Sequence, residues 1–193
     1  MKKVATKITE KIIQHKIIAE SDKDIYLYGF WQGIVFIINM IGVLIVGLIL
    51  DMLWQSIVFT LVYGCLRIFA GGYHARTQKN CYILSLILII AALSIIKYVH
   101  WNELLCVVSS IFSGLVIFVL APVEDENKRL DEQEKIVYKK RARIIFLLLS
   151  FISMISLITG QLHITVCFTI SILASAIMVI LGKMKNVSVR SKN

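Results

Sequence analysis

Proline occurs once in 193 residues, at Pro122, and the four cysteines, Cys65, Cys81, Cys106 and Cys167, include no CxxC pair. That spacing supports neither a disulfide framework nor a zinc site, so no metal or other cofactor is expected. No internal repeat is evident, and one proline at the edge of an apolar run leaves none to break a helix at mid-membrane, which argues against a transporter. Nothing resembles a nucleotide-binding domain. A cleavable signal is not expected either, because the first apolar run begins near Ile25, after a lysine-rich segment, and is too long for a signal core. Acidic residues are scarce, 12 against 21 Lys and Arg, giving a formal net charge of +9.

What is abundant is apolar: 58% of positions, with a mean hydropathy of +0.81, where soluble domains have about half. The runs 25–50, 52–70, 81–99, 103–121, 144–160 and 162–182 each approach the roughly 20 residues that cross a bilayer core. The expected fold is an all-α integral membrane protein with six transmembrane helices. With the N-terminus cytoplasmic, 20 of the 21 Lys and Arg residues fall inside and only Lys97 outside, as the positive-inside rule requires. Both termini are therefore expected in the cytoplasm. Topology accounts for the basic charge, so no nucleic-acid partner is implied.

The chain reads as a single membrane domain. Residues 1–24 form an amphipathic N-terminal segment, in which 3–19 can be an interfacial helix with Val4, Ala5, Ile8 and Ile12 on one face and Lys3, Lys7 and Lys11 on another, lying on inner-leaflet lipid. Four spans follow over 25–121, with a polar island at 67–81. A basic cytoplasmic loop at 122–143, two spans over 144–182 and a basic tail at 183–193 complete it.

The island, from Arg67 to Cys81, carries the chemistry. Arg67 closes the second span, where an arginine ordinarily snorkels to the interface; contact with substrate or an oxyanion is the sharper alternative. Gly71 and Gly72 can stop a helix, allow positive φ, or present N–H groups to an oxyanion. His74 and Cys81 follow, seven positions apart. In one continuous helix they would be separated by about 10 Å of axial rise, too far for a hydrogen bond. A catalytic pair therefore requires a non-helical turn, which Gly71, Gly72 and the polar run from Arg76 to Asn80 permit, with Thr77 or Asn80 capping the third span. A thiol in the first turn of a helix, near Arg76, Lys79 and an imidazole, is set where a thiolate is electrostatically favoured. Cys65, Cys106 and Cys167 lie inside apolar runs and read as packing residues.

Arg67, the Gly71-Gly72-Tyr73-His74-Ala75 run and Cys81, in a basic six-span chain with a lysine-rich N-terminal segment and Ala121-Pro122-Val123-Glu124-Asp125 before a charged loop, resemble the accessory gene regulator B family of Gram-positive bacteria. The resemblance implies a multi-pass cell-membrane cysteine endopeptidase, catalytic at its cytoplasmic face and homodimeric. It would cleave a small amphipathic quorum-sensing propeptide on its C-terminal side and help close a cyclic thiolactone. His74 and Cys81 match the family's catalytic positions. The basic residues of 128–143, Lys139 and Lys140 among them, form a solvated positive-inside loop or attract an acidic propeptide tail. The rival readings are a small-solute or peptide transporter and a noncatalytic membrane scaffold.

Overall fold

The structure is a computed structural model that describes residues 2–15, 17–75, 77–124 and 130–190. Among these, the regular elements are helices: α1 (Lys2–Gln14), a 3-10 turn (Glu20–Asp22), α2 (Lys23–Ile49), α3 (Leu53–Ala70), α4 (Gln78–Tyr98), α5 (Glu103–Leu120), α6 (Glu132–Ile158) and α7 (Leu162–Arg190). Six of them, α2 to α7, are long and apolar enough to cross a membrane.

The chain divides into two compact units, 1–45 and 46–193. In the first, α1 is amphipathic, with Val4 and Ile8 exposed beside exposed Lys3, Lys7 and Lys11. It ends at Gln14, short of the expected residue 19.

The second unit is built around α7. Two thirds of the most apolar window of α7 is buried, against 17–28% in α3 to α6, so α7 forms the core and its neighbours turn most of their apolar surface outward. Leu61, Leu104, Ile111, Leu115 and Phe151 are each more than 60% exposed, an arrangement that suits hydrocarbon and would be costly in water. Inside, Val62, Leu66 and Ala70 of α3 meet Val116 and Ile117 of α5, Ala142 and Phe146 of α6, and Ile172, Ala176 and Val179 of α7. Alanines and serines on α7 (Ala174, Ser175, Ala176) let neighbouring backbones approach it closely, as small residues do in membrane helix pairs.

At one end of this unit the turns are short. Asp51 adopts φ 56° between α2 and α3, Asn102 caps α5 by accepting from the Leu105 N–H at 2.8 Å, and Gly160 at φ 74° turns α6 into α7. Lys97, the one cation expected outside, donates at this end to the Leu50 carbonyl at 2.9 Å. The other end carries the island, the start of α6 and the end of α7.

Two expectations at that end need correction. The segment to residue 143, read as a loop, is helical from Glu132, and α7 runs on to Arg190 through most of the presumed tail. Charge was the wrong criterion: Lys, Arg and Glu are good helix formers, and 132–158 contains no Gly or Pro. A capping box starts α6, with the Glu134 N–H donating to Asp131 Oδ1 at 2.6 Å and the Asp131 N–H to Glu134 Oε2 at 3.2 Å. Asp131→Ala should cost about 0.5–2 kcal/mol locally. Hydrogen exchange at residues 134–137 should then accelerate while α7 stays protected. Where α6 enters its apolar stretch, Arg143 donates to the Phe118 carbonyl at 2.8 Å and lies 5.0 Å from that ring's centroid.

Candidate active site

Helix α3 ends at Ala70, and Gly71 (φ 68°) and Gly72 (φ 122°) turn the chain out of it. Neither conformation suits an L side chain. The three backbone N–H groups after the helix are all used: Gly71 donates to the Arg67 carbonyl at 3.1 Å, Gly72 to the Val123 carbonyl at 3.3 Å and Tyr73 to the Met178 carbonyl at 2.8 Å. The segment after α5 completes this seam, because the Val123 N–H donates back to the Ala70 carbonyl at 3.0 Å. Space forces glycine as well as φ. A Cβ on Gly71 would run into the Val123 carbonyl oxygen, and one on Gly72 into Arg67 Nη1 and, at 2.7 Å, the Met178 oxygen.

Arg67 does more than snorkel. Its Nη1 donates to the Gly71 carbonyl and its Nη2 to the Tyr73 carbonyl, so a fork of planar donors holds both sides of the turn. Tyr63, one helical turn earlier, lies within electrostatic range of both the Arg67 guanidinium and the Cys81 thiol.

His74 is exposed in the non-helical stretch that follows, and its carbonyl accepts from Lys185 Nζ at 3.0 Å. Arg76 lies outside the described residues. Thr77 caps α4: its hydroxyl accepts from the Asn80 N–H at 3.3 Å, and the Cys81 N–H makes a helical bond to the Thr77 carbonyl at 3.0 Å. Cys81 therefore sits half-buried in the first turn of a helix that begins after His74. The axial separation that a continuous helix would impose does not apply. The N–H groups of Gln78 and Lys79 precede the first intrahelical bond and are the donors a helix start offers to an anion.

The structure thus draws Arg67, Gly71, Gly72 and the His74 backbone into one network and places Cys81 at the next helix start. Lys139 and Lys140 are exposed on a separate element, the first turns of α6. Among the described residues, no three His, Cys, Asp or Glu side chains cluster as a metal site requires. Sequence reasoning missed Tyr63, Lys185 and Gly182, the last packed against the Gly72–Tyr73 peptide, and also Asn186, which donates to the Glu124 carbonyl at 2.8 Å while Glu124 pairs with Lys135 at 3.0 Å. Contacts so far apart in sequence leave no local signal.

Residues 5–180 match the family model for accessory gene regulator B. The chain belongs to the accessory gene regulator B family. It is 28% identical over 161 residues to an AgrB-like protein 2 of Clostridium perfringens strain 13, covering 77% of this chain and 75% of that one. It is 27% identical over 161 residues to an AgrB-like protein of C. perfringens strain SM101, with the same coverage. An AgrB-like protein of Listeria monocytogenes is 26% identical over 140 residues, 70% of this chain and 69% of its own length. No solved structure matches. The AgrB match takes in the island and all six apolar helices, α7 as far as residue 180, and it supports a multi-pass membrane protein with a role in the peptide processing of the accessory gene regulator system.

Proposed function

We propose that this AgrB-family protein is a cysteine endopeptidase that cleaves a small quorum-sensing propeptide on its C-terminal side through a Cys81 thioester and promotes closure of a thiolactone ring. The observation that carries this reading is the placement of Cys81 in the first turn of a capped helix, immediately after a glycine-anchored, non-helical segment bearing His74.

In this mechanism His74 takes the proton of Cys81 and the thiolate attacks the peptide carbonyl carbon. The C–N bond breaks, the imidazolium protonates the leaving amine, and an S-acyl enzyme remains. A cysteine thiol within the bound peptide then attacks the thioester carbonyl, forming the ring thioester as the bond to Cys81 breaks and its thiol regains a proton. One thioester replaces another, so the step needs no energy source, and exclusion of water favours it over hydrolysis. Because the Gly71 and Gly72 N–H groups are already used, the donors for the tetrahedral oxyanion are assigned to Gln78 and Lys79 at the start of α4. Arg67 acts through the turn that it holds.

The active site faces the cytoplasm, α1 rests on inner-leaflet lipid, and the enzyme works as a homodimer. The exposed first turns of α6 steer an acidic propeptide tail. Lys139→Glu with Lys140→Glu should lower kcat/KM about tenfold for an acid-tailed substrate, less at high salt, with little change for a neutralised tail; equal rates for both substrates would reject the steering role.

The test is cleavage of the propeptide by purified protein in lipid, read by mass spectrometry. A C-terminal fragment released by wild type supports the reading. Intact, folded wild type that leaves the peptide whole would return the transporter or the scaffold to first place.

A further inference from the structure

The end of α7 meets the island along one helical stripe. Met178, Gly182 and Lys185 are spaced i, i+4 and i+7, so they share a face. Each touches the turn that carries His74. The Met178 carbonyl accepts from the Tyr73 N–H. Gly182 is buried, and a Cβ there would stand 2.5 Å from the Gly72 carbonyl carbon and 2.6 Å from the Tyr73 nitrogen. Lys185 donates to the His74 carbonyl at 3.0 Å, with its ammonium 5.6 Å from the centroid of the Tyr73 ring. Nothing in the helical geometry of α7 itself requires glycine at 182. The residue is at φ typical of any helix position, where alanine is the better helix former. What the missing side chain permits is backbone-to-backbone approach of α7 to residues 72–73.

From this juxtaposition we propose that the end of α7 is the positioning element for His74, with Gly182 setting how closely the turn lies and Lys185 fixing the peptide group of His74 itself. The inference rests on the Cys81–His74 reading above. Gly182 and Lys185 touch no reacting atom; they act through the backbone that orients the imidazole. Arg67 holds the near side of the same turn, so the loop is clamped between α3 and α7.

The experiment uses the full chain in lipid nanodiscs without substrate. The rate of Cys81 carbamidomethylation by iodoacetamide is followed by peptide-resolved mass spectrometry at pH 6 to 8. In this reaction the thiolate sulfur bonds to the methylene carbon and iodide leaves. Because the thiolate is the reacting form, assistance by His74 should make wild type about tenfold faster than His74→Ala at pH 6.5. Gly182→Ala should fall to the His74→Ala rate, Lys185→Met should lose several-fold, and Lys185→Arg should keep most of the wild-type rate. Gly64→Ala makes the same chemical change on α3, where a Cβ meets nothing within 4 Å, and should match wild type. If wild type exceeds His74→Ala while Gly182→Ala and Lys185→Met both keep the wild-type profile, the positioning role is overturned and the dyad stands. If wild type equals His74→Ala, the dyad reading fails and the inference with it. Should Gly182→Ala not insert, the two Lys185 variants decide alone.

Discussion

Cys81→Ala should abolish propeptide cleavage, and His74→Ala should slow it by about 10²- to 10⁴-fold, the usual contribution of a positioned general base. The two losses differ in kind. Without Cys81 there is no atom to acylate, and no change of pH restores turnover. Without His74 the thiol still ionises unaided as pH rises, so residual cleavage should climb with pH more steeply than in wild type. The sign follows from the nucleophile being the deprotonated form. Single-turnover rates from pH 6 to 9 for wild type and both variants, in lipid, separate these outcomes. A His74→Ala profile parallel to wild type and only slightly lower would remove His74 as the base.

Gly72→Ala should also slow cleavage, without touching either reacting group. Its φ of 122° is one that a side chain rarely adopts, and the added Cβ meets Arg67 Nη1 and, at 2.7 and 2.8 Å, the Met178 carbonyl oxygen and carbon. Backbone strain of this type costs about 1–3 kcal/mol, and relieving it means opening the fork between Arg67 and the Gly71 and Tyr73 carbonyls. Cleavage should fall by at least about tenfold, with Lys185 losing its hold on His74, while protein level and helix content stay near wild type because α3 and α7 keep their own hydrogen bonds. Cleavage rate and circular dichroism on the same preparation check this. Full activity in Gly72→Ala would mean that the turn seen here is not the one that does the chemistry.

The six apolar helices were legible because each announces itself locally, by a run of the length a bilayer demands. The start of α4 was legible for a similar reason: Thr77 precedes the apolar run by a few residues, and glycines at 71 and 72 mark where α3 must stop. The basic stretch after residue 130 misled, since charge alone cannot distinguish a solvated loop from an exposed helix, and the capping pair Asp131 and Glu134 was the overlooked signal. The engagement of the Gly71 and Gly72 N–H groups was not legible at all. Their acceptors are the backbone carbonyls of Arg67 and Val123, and carbonyls carry no sequence signature. Gly182 sits in the last apolar run looking like any small membrane residue, and only the approach of residues 72–73 gives it meaning.

A thioester between Cys81 and the propeptide can be trapped. Wild type in lipid would be mixed with a propeptide whose internal cysteine is replaced by serine, quenched in acid, digested and analysed by mass spectrometry. A hydroxylamine-sensitive adduct with the mass of the N-terminal part of the substrate is expected on the Cys81 peptide and is absent from Cys81→Ala. Cleavage that proceeds in Cys81→Ala, with no adduct in wild type, would contradict the thioester mechanism.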